Sequence, residues 1–152
     1  MKKITQIASF TVNHDTLTEG IYVSRIDGDV TTYDLRTRVP NKGDYMDNLT
    51  MHSVEHMLAT HLRNGKLADS IIYFGPMGCQ TGFYLLVRDA VNSEVLSALI
   101  DALESTLSSD EMYGQTRIEC GNFKNLSLEA AKLECKRYLD VLMSGENDFQ
   151  YK

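Results

Sequence analysis

Hydrophobic and polar positions alternate along this chain with two different periods, and the places where the period changes divide it into elements. From residue 50 to 63, Met51, Val54, Leu58 and Leu62 recur every three or four positions, the spacing of one face of a helix. A second helical stripe, over 92–108, is formed by Val95, Leu96, Leu99, Ile100, Leu103 and Leu107, with Asn92 expected as its cap and Glu94 in its first turn. A third begins after Ser127, runs through Leu128, Ala131, Cys135, Tyr138 and Leu142, and stops at Gly145. The stretches 21–26 and 30–39 are instead rich in β-branched and aromatic residues and meet across Asp27-Gly28, so they predict a hairpin. Residues 70–75 and 82–88 predict two more strands, and Arg117–Phe123 a short edge strand. Between the hairpin and the first helix, residues 40–48 are loop formers, and Asn48 or Thr50 is the expected cap. Strands joined by hairpins, with helices between and after them, predict an α+β class: an antiparallel sheet with helices packed on one face.

Composition narrows the function more than the fold. The 152 residues fit one domain, 1–152, with no repeat or low-complexity linker to divide it. Fifteen basic residues against twenty-one acidic ones give a formal charge of -6, and the basic residues are scattered, which argues against a nucleic-acid partner. No apolar run is long enough to cross a bilayer, and the first residues lack the apolar core of a signal peptide, so no membrane association and a cytoplasmic location are expected. Three cysteines, Cys79, Cys120 and Cys135, are an odd set and point to thiol chemistry or packing rather than to a disulfide framework.

Candidate chemistry concentrates on the first helix, where His52, Glu55 and His56 occupy positions i, i+3 and i+4 beside the apolar stripe. Two imidazoles one turn apart can hold a divalent metal, while the intervening carboxylate is free to move protons. A third ligand must come from elsewhere. Cys120 is the candidate, since a thiolate and two imidazoles leave one tetrahedral position open, although a buried, inert cysteine is the competing reading. Cys135 falls on an apolar stripe and reads as packing. Cys79 sits in a turn with Gly75, Gly78 and Gly82, where backbone N–H groups could stabilise a thiolate used as acid/base or nucleophile, or where it is merely structural. His61 points away from the ligand strip and is expected in solvent. His14, close to Ser9, is either a turn residue or a substrate contact. Arg36, alternating with Asp34 and Arg38, is expected on a polar sheet face that could bind a charged substrate.

Taken in order, SFTVNH at 9–14, YDLR at 33–36, VPN at 39–41, HSVEHMLA at 52–59, PMGCQTGFY at 76–84 and ECGN at 119–122 resemble the S-ribosylhomocysteine lyase (LuxS) family over nearly the whole chain. The resemblance implies a LuxS/metallohydrolase-like fold and a homodimer formed through the sheets, with active sites at the interface. It implies His52, His56 and Cys120 as ligands of one divalent metal per subunit, natively Fe(II) and replaceable by Zn(II) or Co(II). Glu55 and Cys79 match the family's acid/base pair, and Ser9, His14 and Arg36 match positions lining the substrate site. In the implied reaction the ring-opened ribose of S-ribosylhomocysteine binds the metal, its carbonyl moves from C1 to C3 through enediolates, and homocysteine is expelled by β-elimination. The other product is 4,5-dihydroxy-2,3-pentanedione, precursor of the autoinducer-2 quorum-sensing signal, so the implied roles are autoinducer synthesis and recycling in the activated methyl cycle.

The chain also departs from the family's usual pattern. Tyr73-Phe74-Gly75 stands where Asp-Ile-Ser is usual, Arg38 where a cysteine is usual and Leu126 where a histidine is usual, and the segment between His14 and Arg36 is short. Two other readings use the same residues: an HxxEH metallopeptidase-like hydrolase, in which Cys79 would be idle, and a catalytically silent relative that binds a ribosyl thioether or a protein.

Overall fold

The computed structural model describes residues 3–152. Four strands, β1 (Gly20–Asp27), β2 (Val30–Arg36), β3 (Ile71–Pro76) and β4 (Gly82–Arg88), form an antiparallel sheet in the order β1-β2-β4-β3. Three helices, α1 (Asn48–Arg63), α2 (Asn92–Leu107) and α3 (Leu128–Ser144), complete the α+β fold. No helix among the described residues is long and apolar enough to cross a membrane.

Strand alternation sorts the sheet's two faces. Ile21, Tyr33, Leu35, Phe83, Leu85 and Val87 share one core with Met51, Val54, Leu58 and Leu62 of α1, Leu99 and Leu103 of α2, and Ala131, Tyr138 and Leu142 of α3. Phe74 and Phe83 stack within it, their ring centroids 5.0 Å apart. Burial of Cys135 among these residues pushes its thiol up to about 12, so it stays protonated, in keeping with a packing role. The opposite face presents Tyr22, Asp34, Arg36 and Tyr84, of which Asp34, at 1% exposure, and Arg36, at 3%, are buried rather than solvated. The N-terminal segment and the C-terminal tail enclose that face.

Several local expectations are corrected. Arg117–Phe123 is not a strand: Glu119 and Cys120 N–H groups both donate to the Thr116 carbonyl, and the Thr116 hydroxyl donates to Glu119 at 2.6 Å, so the segment is a series of turns. Asp47, not Asn48 or Thr50, caps α1, accepting from Thr50 N–H at 2.8 Å. Asn92 does not cap α2, because its side-chain Oδ1 accepts from the Tyr33 hydroxyl at 2.7 Å. Ser127 does cap α3, and the hairpin turns at Gly28-Asp29 with Gly28 at φ 60°.

Arg38 lies beyond β2, not on a polar sheet face. Its guanidinium grips Glu134 of α3 (Nε to Oε2 3.0 Å, Nη2 to Oε1 2.5 Å) and reaches Asp44 at 2.6 Å. Glu134 is 4% exposed, so α3 and the segment after β2 are tied by a buried pair.

Candidate functional site

His52 and His56 project from one side of α1, their rings 4.6 Å apart at 86°. Each Nδ1–H donates to a backbone carbonyl, His52 to Asn125 at 2.8 Å and His56 to Tyr113 at 2.9 Å, which fixes the tautomer and leaves both Nε2 lone pairs free. Both lone pairs meet Cys120, whose Sγ is 3.4 Å from His52 Nε2 and 3.8 Å from His56 Nε2. Ligands at ordinary zinc-like bond lengths around a tetrahedral ion stand about 3.6 Å apart for such an N/S pair, so these three residues fit a single divalent metal.

The turn segment is fastened to α1 at several points, and this places Cys120. Ser127 N–H donates to Ser53 Oγ at 2.8 Å, and the Asn125 amide donates to Asn48 Oδ1 at 2.5 Å. Asn122 N–H lies 3.4 Å from the Cys120 sulfur, where it supports negative charge. On the other flank Gly114, at φ 67°, passes so close to His56 that a Cβ there would lie 2.9 Å from Nδ1. Leu126, where the family resemblance leads one to expect histidine, packs against the core instead.

Glu55 lines a cavity of about 340 Å³ with His56, Arg63, Tyr73 and Tyr113. Tyr73 lies across Gly75: a Cβ at position 75 would be 2.1 Å from the phenol oxygen, so the ring can take this position only above a glycine. His61 is not in solvent. It is partly buried, bonds Ser109 Oγ through Nε2 at 3.0 Å and meets the Tyr113 ring edge-on, and burial holds it below the usual histidine range.

A second group assembles on the non-helical face of the sheet. Arg36 pairs with Asp34 through Nε (3.0 Å) and Nη2 (2.6 Å), while its Nη1 donates to Thr81 Oγ1 at 2.8 Å and lies 3.8 Å from Cys79 Sγ. Cys79 Sγ is also 3.0 Å from the Thr81 hydroxyl. The thiol is exposed in the β3–β4 turn, where Gln80, not a glycine, takes the left-handed conformation (φ 66°). Its polar surroundings are thus a guanidinium and a hydroxyl, where the glycines had suggested backbone N–H groups. Ser9 and His14 join Arg36 and Cys79 around one cavity of about 630 Å³. The His14 Nδ1–H donates to Val12 O at 2.9 Å.

The sequence-predicted residues therefore fall into two sets, Ser9, His14, Arg36 and Cys79 around one cavity and Glu55 with His52, His56 and Cys120 around another region. Sequence reasoning passed over Thr81, Tyr84 and Tyr151, which line or support the first set. It also passed over the carbonyls of Tyr113 and Asn125, which orient the imidazoles. Backbone acceptors carry no side-chain signal, but Asp34 two positions before Arg36 on a strand did place both on one face.

The sequence matches the profile of the S-Ribosylhomocysteinase (LuxS) family over residues 7–148. It is 44% identical over 149 residues to an S-ribosylhomocysteine lyase of Borreliella afzelii (strain PKo), with 93% of each chain covered. It is 43% identical to one of Finegoldia magna, covering 91% of this chain and 92% of that one. For one of Clostridium acetobutylicum the figures are 41% identity, 94% and 95%. With a profile that takes in both sets of residues and relatives alike along almost their whole length, the chain belongs to the S-ribosylhomocysteinase (LuxS) family.

Proposed function

We propose that this chain is a metal-dependent lyase that cleaves S-ribosyl-L-homocysteine to L-homocysteine and 4,5-dihydroxy-2,3-pentanedione. The observation that carries the reading is the convergence of His52 Nε2, His56 Nε2 and Cys120 Sγ at separations of 3.4 and 3.8 Å, beside Glu55 on the same helix. His52, His56 and Cys120 would hold the ion, which we assign as iron(II) with zinc or cobalt as substitutes, and it would supply Lewis-acid polarisation to the bound sugar.

The chain's own residues move the protons. Carrying a carbonyl from C1 to C3 takes two enolisations, each removing a proton from one carbon and returning one to the carbon that carried the previous carbonyl. Removal of the C4 proton then forms a C4–C5 double bond as the C5–S bond breaks, and the departing homocysteine sulfur takes a proton. We assign these transfers to Cys79 and Glu55 on opposite sides of the sugar chain. When Cys79 gives up its proton, the negative sulfur faces the Arg36 guanidinium and the Thr81 hydroxyl. Ser9, His14 and Arg36 are assigned to holding the substrate.

In one chain these two sets open onto different cavities, which supports a homodimer in which the Cys79 set of one subunit faces the metal set of the other. Phe10, 67% exposed beside the Cys79 cavity, and Ile7, 57% exposed, are suited to such an interface. We further assign residues 1–152 to one domain of the metallohydrolase-like kind, the product to autoinducer-2 synthesis, and the protein to the cytoplasm with neither membrane nor nucleic acid as partner. The peptidase reading is weaker, because it leaves Cys79 and its cavity without a task.

The test is anaerobic incubation of iron- or cobalt-loaded protein with S-ribosylhomocysteine, following free thiol. Stoichiometric homocysteine is expected, and no thiol release overturns the reading.

A further inference from the structure

The last residues of the chain return to the sheet. Val23 N–H donates to Phe149 O at 2.9 Å, and Tyr22 and Phe149 form a parallel bridge alongside the β1 irregularity between Val23 and Arg25. Two left-handed residues, Asn147 (φ 50°) and Phe149 (φ 64°), make the turn. Non-glycine residues stay in that region only where their surroundings fix them, and here the Asn147 amide donates to Leu142 O at 2.8 Å. The outcome is that Tyr151 is stacked on Tyr22, centroids 5.0 Å apart and planes 17° apart, and donates its hydroxyl to Asp34 Oδ2 at 2.7 Å.

We infer that Tyr151 is a positioning residue of the thiol site: its hydroxyl fixes Asp34, Asp34 fixes Arg36, and Arg36 is thereby held against Cys79. Asp34 is buried and takes three donors, the Nε and Nη2 of Arg36 and the Tyr151 phenol. With both carboxylate oxygens engaged by Nε and Nη2, the remaining Nη1 of Arg36 is directed to Thr81 Oγ1 and lies beside the Cys79 sulfur. Without the phenol, a buried anion loses a donor and draws the guanidinium more strongly toward itself, away from the sulfur. The phenol keeps its proton for this task, since burial first and the Asp34 charge second hold it above the usual tyrosine range. Tyr151 lies past residue 148, the last residue matched to the family profile.

This inference rests on the reading of Cys79 as the proton-transfer group, but its test does not need turnover. The intact, metal-loaded protein is alkylated at one pH with anionic iodoacetate and, separately, with neutral iodoacetamide, and modification of Cys79 is followed by peptide mass spectrometry. A guanidinium beside the sulfur favours the anionic reagent. In Tyr151→Phe, which keeps the stack on Tyr22 and loses only the hydroxyl, the iodoacetate-to-iodoacetamide rate ratio is expected to fall about threefold, the size of part of one charge-assisted hydrogen bond. Tyr151→Ala is expected to lower the ratio at least as far. An unchanged or raised ratio in the folded Phe variant overturns the inference. If the lyase reading holds, kcat in Tyr151→Phe falls about threefold with KM nearly unchanged, whereas a failed lyase assay with a lowered ratio removes the activity and keeps the positioning role.

Discussion

The metal set and the thiol set reach similar local order by opposite means. His52, Glu55 and His56 come from one helical turn, so most of that geometry is local, and only Cys120 has to be brought in over 68 residues. The thiol set has almost no local part: Ser9 and His14 precede the sheet, Asp34 and Arg36 lie on β2, Cys79 and Thr81 follow β3, and Tyr151 is the second-last residue. Helical spacing holds the first together, while sheet register and a buried ion pair hold the second. A helix-based site should therefore survive local damage to the sheet, and the sheet-based site should survive loss of metal.

The most severe test of that division separates the two cysteines. Cys79→Ala is expected to lower turnover by about 10²–10⁴-fold with metal content unchanged, whereas Cys120→Ala loses both metal and turnover. Metal analysis of the Cys79 variant decides it, because metal loss there means the sets are not independent. Mixing the two inactive variants under exchange conditions sharpens the comparison. In the proposed dimer, one of the two sites in each mixed pair is intact, so random pairing restores about a quarter of the original activity. No recovery, with mixed pairs confirmed by native mass spectrometry, overturns the shared site.

Next in size is the ion pair behind the sheet-based set. Thr37 and Arg38 both donate their N–H groups to the Thr81 carbonyl, so the Arg38–Glu134 pair braces the strand end that carries Thr81. Glu134→Leu leaves a half-buried guanidinium with only Asp44 and is expected to cost about 2–3 kcal/mol, roughly 5–10 °C in Tm, by calorimetry. A loss below 1 kcal/mol would mean that Asp44 alone satisfies Arg38.

Gly114→Ala tests the helix side, since the new methyl pushes on the ring of His56. Metal affinity is expected to fall about 10- to 100-fold in chelator competition, with the fold retained. Asp47→Ala removes the α1 cap and should cost about 1 kcal/mol in denaturant unfolding, with little change in metal affinity. The smallest effect concerns His61. Its folded-state pKa is depressed by burial, so the unfolded chain binds the extra proton first. The contribution is complete above the unfolded value near 6.5 and is lost as pH falls from there through the lower folded value. His61→Gln should flatten the stability profile across that window, and an unaltered slope counts against the assignment.

How legible each part was in the sequence follows from the same contrast. The helices and four strands were marked by their patterns, and His52 and His56 as candidate ligands by their spacing, whereas Cys120 stayed between ligand and buried cysteine until the family resemblance favoured it. Arg117–Phe123 misled because its alternation imitates a strand while turns consume its N–H groups. Asn92 looked like a cap until the Tyr33 hydroxyl, 59 residues away, claimed its side chain. Arg36 looked solvated because a charged residue on a strand usually is; its burial depends on Asp34 beside it and on chain ends that no local pattern brings there. Tyr151 gave no signal at all, since its role rests on a turn of two left-handed non-glycine residues.

The Arg38–Glu134 pair also means that its two members cannot be replaced one at a time at equal cost. Where relatives are expected to carry an uncharged cysteine at 38, Glu134 arriving first would be an unpaired buried carboxylate. Arginine arriving first would already find Asp44 at 2.6 Å. The two single-residue intermediates are thus unequal: arginine alone keeps one carboxylate partner in Asp44, whereas glutamate alone loses its guanidinium. Comparing Arg38→Cys, Glu134→Leu and the double variant in one thermal series exposes this asymmetry: the double variant should be more stable than Arg38→Cys alone, and equal or lower stability removes it.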